Sequence, residues 1–245
     1  MADAPIVSRG PVGMAPESAR IARRLVEVLG GRYSTEMGIA ADRGPDEIER
    51  WFLAATLFAN PIPAGIVART YRSLADAGIR TIADVAEISW DDLVSLLDRG
   101  GYARYDFRTA TRLLGLARYT AERWNGRLAS ALLAVDDPVA VEAMLDALPG
   151  WGPTTVRIFL RELRGVWAGA WPRLDERALR AAEHLELAGP ADRPHGVAWL
   201  ESLAACAALD PRDLEGALIR LSLAHRRRRG PCPGRERCRV LQAVR

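Results

Sequence analysis

The stretch "LPGWGPTTVRIFLREL" at residues 148–163 decides the fold. An apolar pattern with helical spacing precedes it, and a second helix is predicted to begin at Pro153, because proline is favoured in the first turn of a helix. Gly150 and Gly152 permit a tight turn and the close approach of another backbone. The sequence therefore predicts two helices joined by a short glycine-containing turn over residues 138–164.

The start of the second helix is a candidate anion site. The first backbone amides of a helix have no acceptor inside it, and the helix dipole adds partial positive charge at that end. A phosphate fits such a site, and amides that bind any phosphate position a duplex without reading its bases. The alternative interpretation is an ordinary pair of helices that uses glycine only to turn.

Composition is typical of a globular protein. The chain has 245 residues, of which 49% are hydrophobic, and three cysteines, which are too few for a disulfide framework. No segment approaches the roughly 18 uncharged apolar residues that span a membrane. Residues 1–16 lack the pattern of a secretory signal and are interpreted as a flexible tail. We therefore expect a cytoplasmic protein without a membrane partner.

The basic residues are of one type and are unevenly placed. All 34 are arginines, since the sequence contains no lysine, and residues 220–245 hold nine of them against one glutamate. This segment is suited to bind an anionic polymer, and the alternative is a solvated charged tail.

Helical periodicity recurs along most of the chain, and no alternating run predicts a strand. The predicted fold class is all-α. Helices are predicted over residues 17–29, 45–59, 64–78, 81–86, 89–98, 106–124, 138–147, 153–164, 175–186, 195–206 and 211–224. The tight connections favour a compact bundle in two lobes, with residues 40–165 in one and residues 17–39 plus 166–245 in the other.

Several motifs, in the same order along the chain, resemble the endonuclease III branch of the helix-hairpin-helix DNA glycosylase superfamily. "LPGWGPTTV" is similar to its hairpin, and "RLDERALRAAEHL" resembles its aspartate-and-arginine element, which places Asp175 and Arg180. "WFLAATLFANPIP" is similar to the helix end that carries its amide side chain, here Asn60, and "LVSLLDRGGYARYDFRTATRLLGLARY" to the next turn and helix. The resemblance covers residues 45–240 and implies a fold with a cleft between two lobes.

The resemblance also implies a function, which is base excision repair by a monomeric DNA glycosylase. Its partner is double-stranded DNA with a lesion or mismatch, and Asp175 is the catalytic carboxylate. Cleavage of an N-glycosidic bond builds positive charge on the sugar. A carboxylate at about 4 Å stabilises that charge by about 4 kcal/mol, roughly a thousandfold in rate. Asp175 alternatively caps a helix, and the two roles can coexist.

The absence of lysine limits the reactions that the resemblance implies. Family members that also cut the DNA backbone use a lysine to form a Schiff base with the sugar, and Thr154 stands at that position here. Because the sequence has no lysine, a lysine-dependent lyase is excluded, and the resemblance implies a monofunctional enzyme that leaves an abasic site. Thr154 or Thr155 then holds the attacking water, or alternatively bonds only to the backbone.

DNA contacts are implied for the hairpin, the amide-bearing helix end and the basic residues near the C-terminus. These residues are Asn60, Gly150, Trp151, Gly152, Thr154, Thr155, Arg180, Arg226, Arg227, Arg228 and Arg229. The loop that leads to Asp175 is longer than is usual in the family. Its Trp167 and Trp171 are candidates for stacking on an extruded base or for core packing.

Relatives of endonuclease III often end in four cysteines that bind a [4Fe-4S] cluster. Cys232 and Cys238 match the spacing of the last pair, whereas Ser222 and Arg229 stand where the first two thiolates are needed. We therefore predict no iron–sulfur cluster, no other cofactor and no metal. His225 with the two cysteines makes only an incomplete set for zinc.

The alternative function is a DNA-binding protein that keeps the hairpin without catalysis. An enzyme unrelated to DNA has little support, because the sequence contains no glycine-rich nucleotide loop and no HExxH motif. Uracil or thymine mismatches, oxidised pyrimidines, adenine mispairs and alkylated purines all stay open as substrates.

Overall fold

A computed structural model describes residues 16–226, and within that range every regular element is a helix. The prediction of an all-α fold is confirmed. The α-helices are α1 Pro16–Leu29, α2 Tyr33–Glu36, α3 Pro45–Thr56, α4 Ala64–Asp76, α5 Ile82–Val85, α6 Trp90–Arg99, α7 Asp106–Trp124, α8 Leu128–Leu133, α9 Pro138–Asp146, α10 Pro153–Glu162, α11 Glu176–His184, α12 Gly196–Ala207 and α13 Pro211–Arg226.

Each predicted helix overlaps an observed one, and the differences concern short elements. The helix predicted over 45–59 changes to a 3-10 turn at Leu57–Ala59. The sequence does not predict α2, α8 or the 3-10 helix Pro190–His195. Elements of four to six residues are too short to show helical periodicity, so they depend on contacts made elsewhere in the fold.

The chain divides into two compact units. The hairpin unit runs from Arg32 to Pro172, and the second unit combines the residues up to Gly31 with those from Arg173 onward. These divisions differ from the lobe boundaries predicted from sequence, which fall at residues 39/40 and 165/166.

A buried carboxylate explains why the hairpin unit begins at Arg32. Glu162, in the last turn of α10, accepts hydrogen bonds from the amides of Tyr33 and Ser34, each at 3.1 Å, and from Ser34 Oγ at 2.8 Å. Glu162 is almost fully buried, so its charge needs these donors. The bonds attach α2 to the hairpin unit, which a search for apolar periodicity does not detect.

Aromatic packing positions the hairpin. Trp51 and Phe52 of α3 are buried, and Trp51 Nε1 donates to the Phe159 carbonyl of α10 at 3.1 Å. Phe52 and Phe159 also contact each other edge to face, an arrangement that aromatic rings prefer. The second helix of the hairpin is therefore held against α3.

The second unit has its own core. Helices α1, α11, α12 and α13 pack together there, and their buried leucines include Leu25, Leu200, Leu203 and Leu218. This bundle holds the first turn of α11, where Asp175 lies.

Candidate nucleic-acid interface

The turn between α9 and α10 is tight and depends on a glycine. The Trp151 amide donates to the Leu148 carbonyl at 3.0 Å, and Gly150 has a φ of 78°. This left-handed conformation favours glycine over residues with a Cβ. The two predicted helices and the short turn between them are therefore present, with helix bounds of Pro138–Asp146 and Pro153–Glu162.

The first turn of α10 has no side-chain cap. Gly152 is the N-cap residue, Pro153 follows it, and the amides of Thr154 and Thr155 have no acceptor among residues 16–226. Thr154 is exposed, whereas Thr155 is buried. These free amides, with the helix dipole, are suited to bind an anion.

Open space surrounds the N-cap. Gly152 has an extended backbone with a φ of −160° and a ψ of 176°, which any residue adopts. A Cβ built on Gly152 would meet no atom within 4 Å. Neither backbone conformation nor crowding within the described chain requires glycine here, which leaves close approach by a ligand as a reason for it.

Trp151, for which a DNA contact is predicted, packs in the core. Its side chain is 8% exposed, and Nε1 donates to Thr56 Oγ1 at 3.1 Å. The ring packs on Phe52 and Phe159 with centroid distances of 5.1 and 5.4 Å. Trp151 therefore anchors the turn to the core, because burial of the large ring outweighs exposure at the tip of the hairpin.

Asn60, for which a DNA contact is also predicted, lies in the interior. It follows the 3-10 turn after α3, and its Nδ2 donates to Tyr102 Oη and to Thr109 Oγ1, each at 3.1 Å. Tyr102 in turn donates to the Leu57 carbonyl at 2.5 Å, and burial raises the pKa of its phenol. Asn60 is 8% exposed. Its amide joins helix ends in the interior.

Asp175 is the N-cap residue of α11. Its Oδ1 accepts a hydrogen bond from the Arg177 amide at 2.8 Å, and its own amide donates to Glu215 Oε1 at 3.2 Å. The second carboxylate oxygen accepts no hydrogen bond from the part of the chain that the structure describes. The capping role weighed from the sequence is therefore present, and one oxygen is left for other chemistry.

The two tryptophans of the loop before Asp175 differ in exposure. Trp167 is half-buried, and its Nε1 donates to the Val135 carbonyl at 3.2 Å. Trp171 is 48% exposed. The side chain of Arg164 bonds to the Pro172 carbonyl within the same loop. Trp167 therefore has the core-packing role, whereas Trp171 is the tryptophan that remains exposed and able to stack on a base.

Arg180 is exposed and carries an ion pair. Its Nε lies 3.1 Å from Glu176 Oε1, which Arg193 Nη1 also approaches to 3.1 Å. The Arg193 hydrogen bond, followed by that of Arg180, lowers the pKa of the Glu176 carboxyl. Exposed pairs of this kind are weak, so Arg180 can exchange its partner for a phosphate at little cost.

The basic segment lies mostly beyond the described residues. Arg226 is the last residue of α13, and Arg227, Arg228 and Arg229 lie outside the described range, as do Cys232 and Cys238. Their predicted roles stay predictions.

Ser222, which stands in place of the first cluster thiolate, lies within α13. A serine hydroxyl and an arginine in this donor set do not fit a [4Fe-4S] cluster, which needs four ligands such as thiolates. His225 of α13 contacts His184 of α11 with a centroid distance of 4.7 Å. Among residues 16–226 no three histidine, cysteine or acidic side chains form a metal-binding group.

Comparisons with protein-family models, with curated proteins and with solved structures give no match for this chain. The site is therefore interpreted from its own residues. None of the helices between residues 16 and 226 combines the length and the apolar character that crossing a membrane requires.

The sequence analysis did not predict two contacts between residues that are far apart along the chain. Glu215, fully buried in α13, accepts the amide of Asp175, and Arg112 of α7 lies against Gly150. Glu215 stands among the apolar residues Leu214, Ala217 and Leu218, which signals burial, whereas Arg112 has no such signal because Arg108 and Thr109 lie one turn before it. Nothing local in the sequence identifies the residue that each one contacts.

Proposed function

We propose that this chain is a monofunctional DNA glycosylase, which binds duplex DNA through its hairpin and hydrolyses the N-glycosidic bond of a damaged or mismatched base. The uncapped first turn of α10 carries this proposal. Its free amides at Thr154 and Thr155, with the open space at Gly152, suit a backbone phosphate. Such a contact is independent of base sequence, as repair of lesions in any sequence context requires.

The state of Asp175 supports a catalytic role. The Arg177 amide orients one carboxylate oxygen, and the other remains able to accept a proton from water or to face a positively charged sugar. An ionised carboxylate supplies the charge that an oxocarbenium-like transition state needs. Helix capping and catalysis are compatible, because they use different oxygens of the same group.

The absence of a lysine amine implies base release without strand cleavage. The sequence has no lysine, and Thr154, which stands at the position of the family's lysine, is exposed at the start of α10. A hydroxyl cannot form a Schiff base with the sugar. The expected product is an abasic site in an intact strand.

A panel of duplexes tests this function. Each duplex carries one lesion or mismatch from the classes that the sequence leaves open, and an undamaged duplex of the same sequence is the control. We expect one or more lesions to yield strand breaks only after alkali treatment, which marks base release. Breaks without alkali would contradict a monofunctional enzyme.

The second candidate function is duplex binding without catalysis. The interior positions of Asn60 and Trp151 favour it, because two residues expected to probe DNA have structural roles. In that case the same duplexes bind with strong salt dependence, yet none releases a base with or without alkali.

A further inference from the structure

Arg112 of α7 lies across the turn of the hairpin. A Cβ built on Gly150 would lie 2.5 Å from Arg112 Nε and 2.7 Å from Cγ. The arginine stem therefore passes directly over the Gly150 α-carbon, and Arg112 is half-buried there. Glycine at position 150 serves both the positive φ and this close approach.

No acidic group neutralises this arginine. Arg112 has no ion pair and no hydrogen bond within residues 16–226. Burial lowers the pKa of its guanidinium, and the charge of Arg108, one helical turn earlier, lowers it further. The phenol of Tyr102 has a small opposite effect. Like charges four residues apart on a helix repel each other, so the free protein holds this pair at a cost.

Other arginines of the hairpin unit show the contrast. Several pair with carboxylates at 2.6 to 3.4 Å: Arg32 with Asp42, Arg50 with Glu47 and Arg127 with Asp46. Exposed arginines such as Arg118 also have no ion pair within residues 16–226, but Arg112 is half-buried and still unpaired. It lies beside a turn whose own free groups are N–H donors. The unpaired charge of Arg112 and the free N–H donors both favour the binding of an anion.

We infer that Arg112, supported by Arg108, binds a second backbone phosphate of the duplex, next to the phosphate that the α10 amides hold. This inference rests on the proposed DNA binding and adds a side chain to it. Guanidinium groups match phosphate in a bidentate geometry, and the phosphate relieves the repulsion between the two arginines. The hairpin then binds two phosphates of the strand, one through the backbone amides of α10 and one through the guanidinium of Arg112.

The test measures binding of a duplex of about 20 base pairs over a range of salt concentrations, since each phosphate contact adds about 0.9 to the slope of log affinity against log salt. The variants are Arg112→Gln and, as a matched control, Arg118→Gln, an exposed arginine further along α7. We expect Arg112→Gln to reduce the slope by about 1 and the affinity by about tenfold near 0.1 M salt. The control keeps the wild-type slope.

A thermal unfolding curve completes the test. Removal of a repelled charge leaves the melting temperature of Arg112→Gln equal to or above that of the wild type, whereas a purely structural arginine lowers it. A lowered melting temperature, or an unchanged slope, would overturn the role of Arg112. Wild-type protein that binds no duplex would instead refute the proposed function itself, so the two failures are distinguishable.

Discussion

The first turns of α10 and α11 differ in whether a side chain accepts a hydrogen bond from their free backbone amides. Both helices leave backbone amides without acceptors at their start. In α11 the carboxylate of Asp175 accepts one of them, from Arg177 at 2.8 Å. In α10 the N-cap is Gly152, which has no side chain, and no atom lies where a Cβ would be.

This difference indicates where the protein leaves room for a ligand. A capped start is complete without further partners, whereas an uncapped start remains solvated or binds an anion from outside. A third helix supports the pattern, because the buried Glu49 of α3 accepts the Ala129 amide in the first turn of α8 at 2.7 Å. The chain thus supplies a carboxylate to two of these starts. The start of α3 resembles that of α10, since Gly44 is its N-cap residue and no side chain caps it. The start of α10 differs because its first turn contains no acidic residue, whereas that of α3 contains Asp46 and Glu47.

The largest expected effect concerns the dual role of Asp175. Asparagine caps helices as well as aspartate does, so Asp175→Asn should keep the stability of α11 while it removes the negative charge. We expect base release to fall about a thousandfold, since one carboxylate near the sugar contributes about 4 kcal/mol. Single-turnover rates with excess enzyme measure this loss. Duplex affinity should stay within about threefold of the wild type; an unchanged rate would leave Asp175 with capping alone.

The buried cap of α8 predicts a pH effect on stability. Burial raises the pKa of Glu49 from its ordinary value of 4.5 to about 7, against smaller opposing effects of the Ala129 amide and Arg127. Because this folded-state pKa lies above the unfolded value, the folded protein retains the proton, and its unfolding free energy falls as pH rises from about 4.5 to 7. The loss is on the order of 3 kcal/mol.

Chemical denaturation at a series of pH values checks this effect. Glu49→Gln should remove most of the slope between pH 4.5 and 7, because glutamine still offers an acceptor to the Ala129 amide and does not titrate. Glu87→Gln, at an exposed position, serves as the control and should keep the slope. A wild-type protein whose stability is flat over this window would contradict the buried, neutral cap.

The two glycines of the hairpin turn should respond differently to alanine. Gly150→Ala forces a Cβ into a positive φ and against Arg112, and we expect a loss of about 2 kcal/mol in unfolding free energy. Gly152→Ala meets open space in an extended backbone and should change stability by less than about 0.5 kcal/mol. Urea denaturation of both variants compares them. Equal losses would mean that the turn is strained at both positions.

The last prediction concerns an added cap at the open start of α10, which should stabilise the protein only modestly. Gly152→Asp gives α10 the kind of cap that α11 has, and we expect a gain of about 0.5 to 1 kcal/mol in unfolding free energy. The same carboxylate occupies the amides and repels phosphate, so duplex affinity should fall more than tenfold. Gly152→Ser, a neutral cap, should weaken binding less. If Gly152→Asp binds DNA like the wild type, the phosphate site lies elsewhere.

Local chemistry along the chain was enough to predict much of this molecule. Apolar spacing and proline or acidic residues in first turns predicted α3, α7 and α13 close to their observed bounds. The hairpin and the N-cap role of Asp175 follow from residue types that act on their own neighbours. The absence of lysine, which excludes a lyase that forms its Schiff base through a lysine, is read from the sequence without any structure.

The roles of Asn60, Trp151 and Arg112 depend on packing between distant segments. An amide or an indole at a helix end looks free in sequence, but partners from other helices, Thr109 and Thr56 among them, bind it in the interior. Arg112 lies against Gly150 only because α7 packs beside the hairpin. Hydrogen bonds and burial across the core have no periodicity that a single sequence displays, so only the tertiary structure decides which polar residues are left for a ligand.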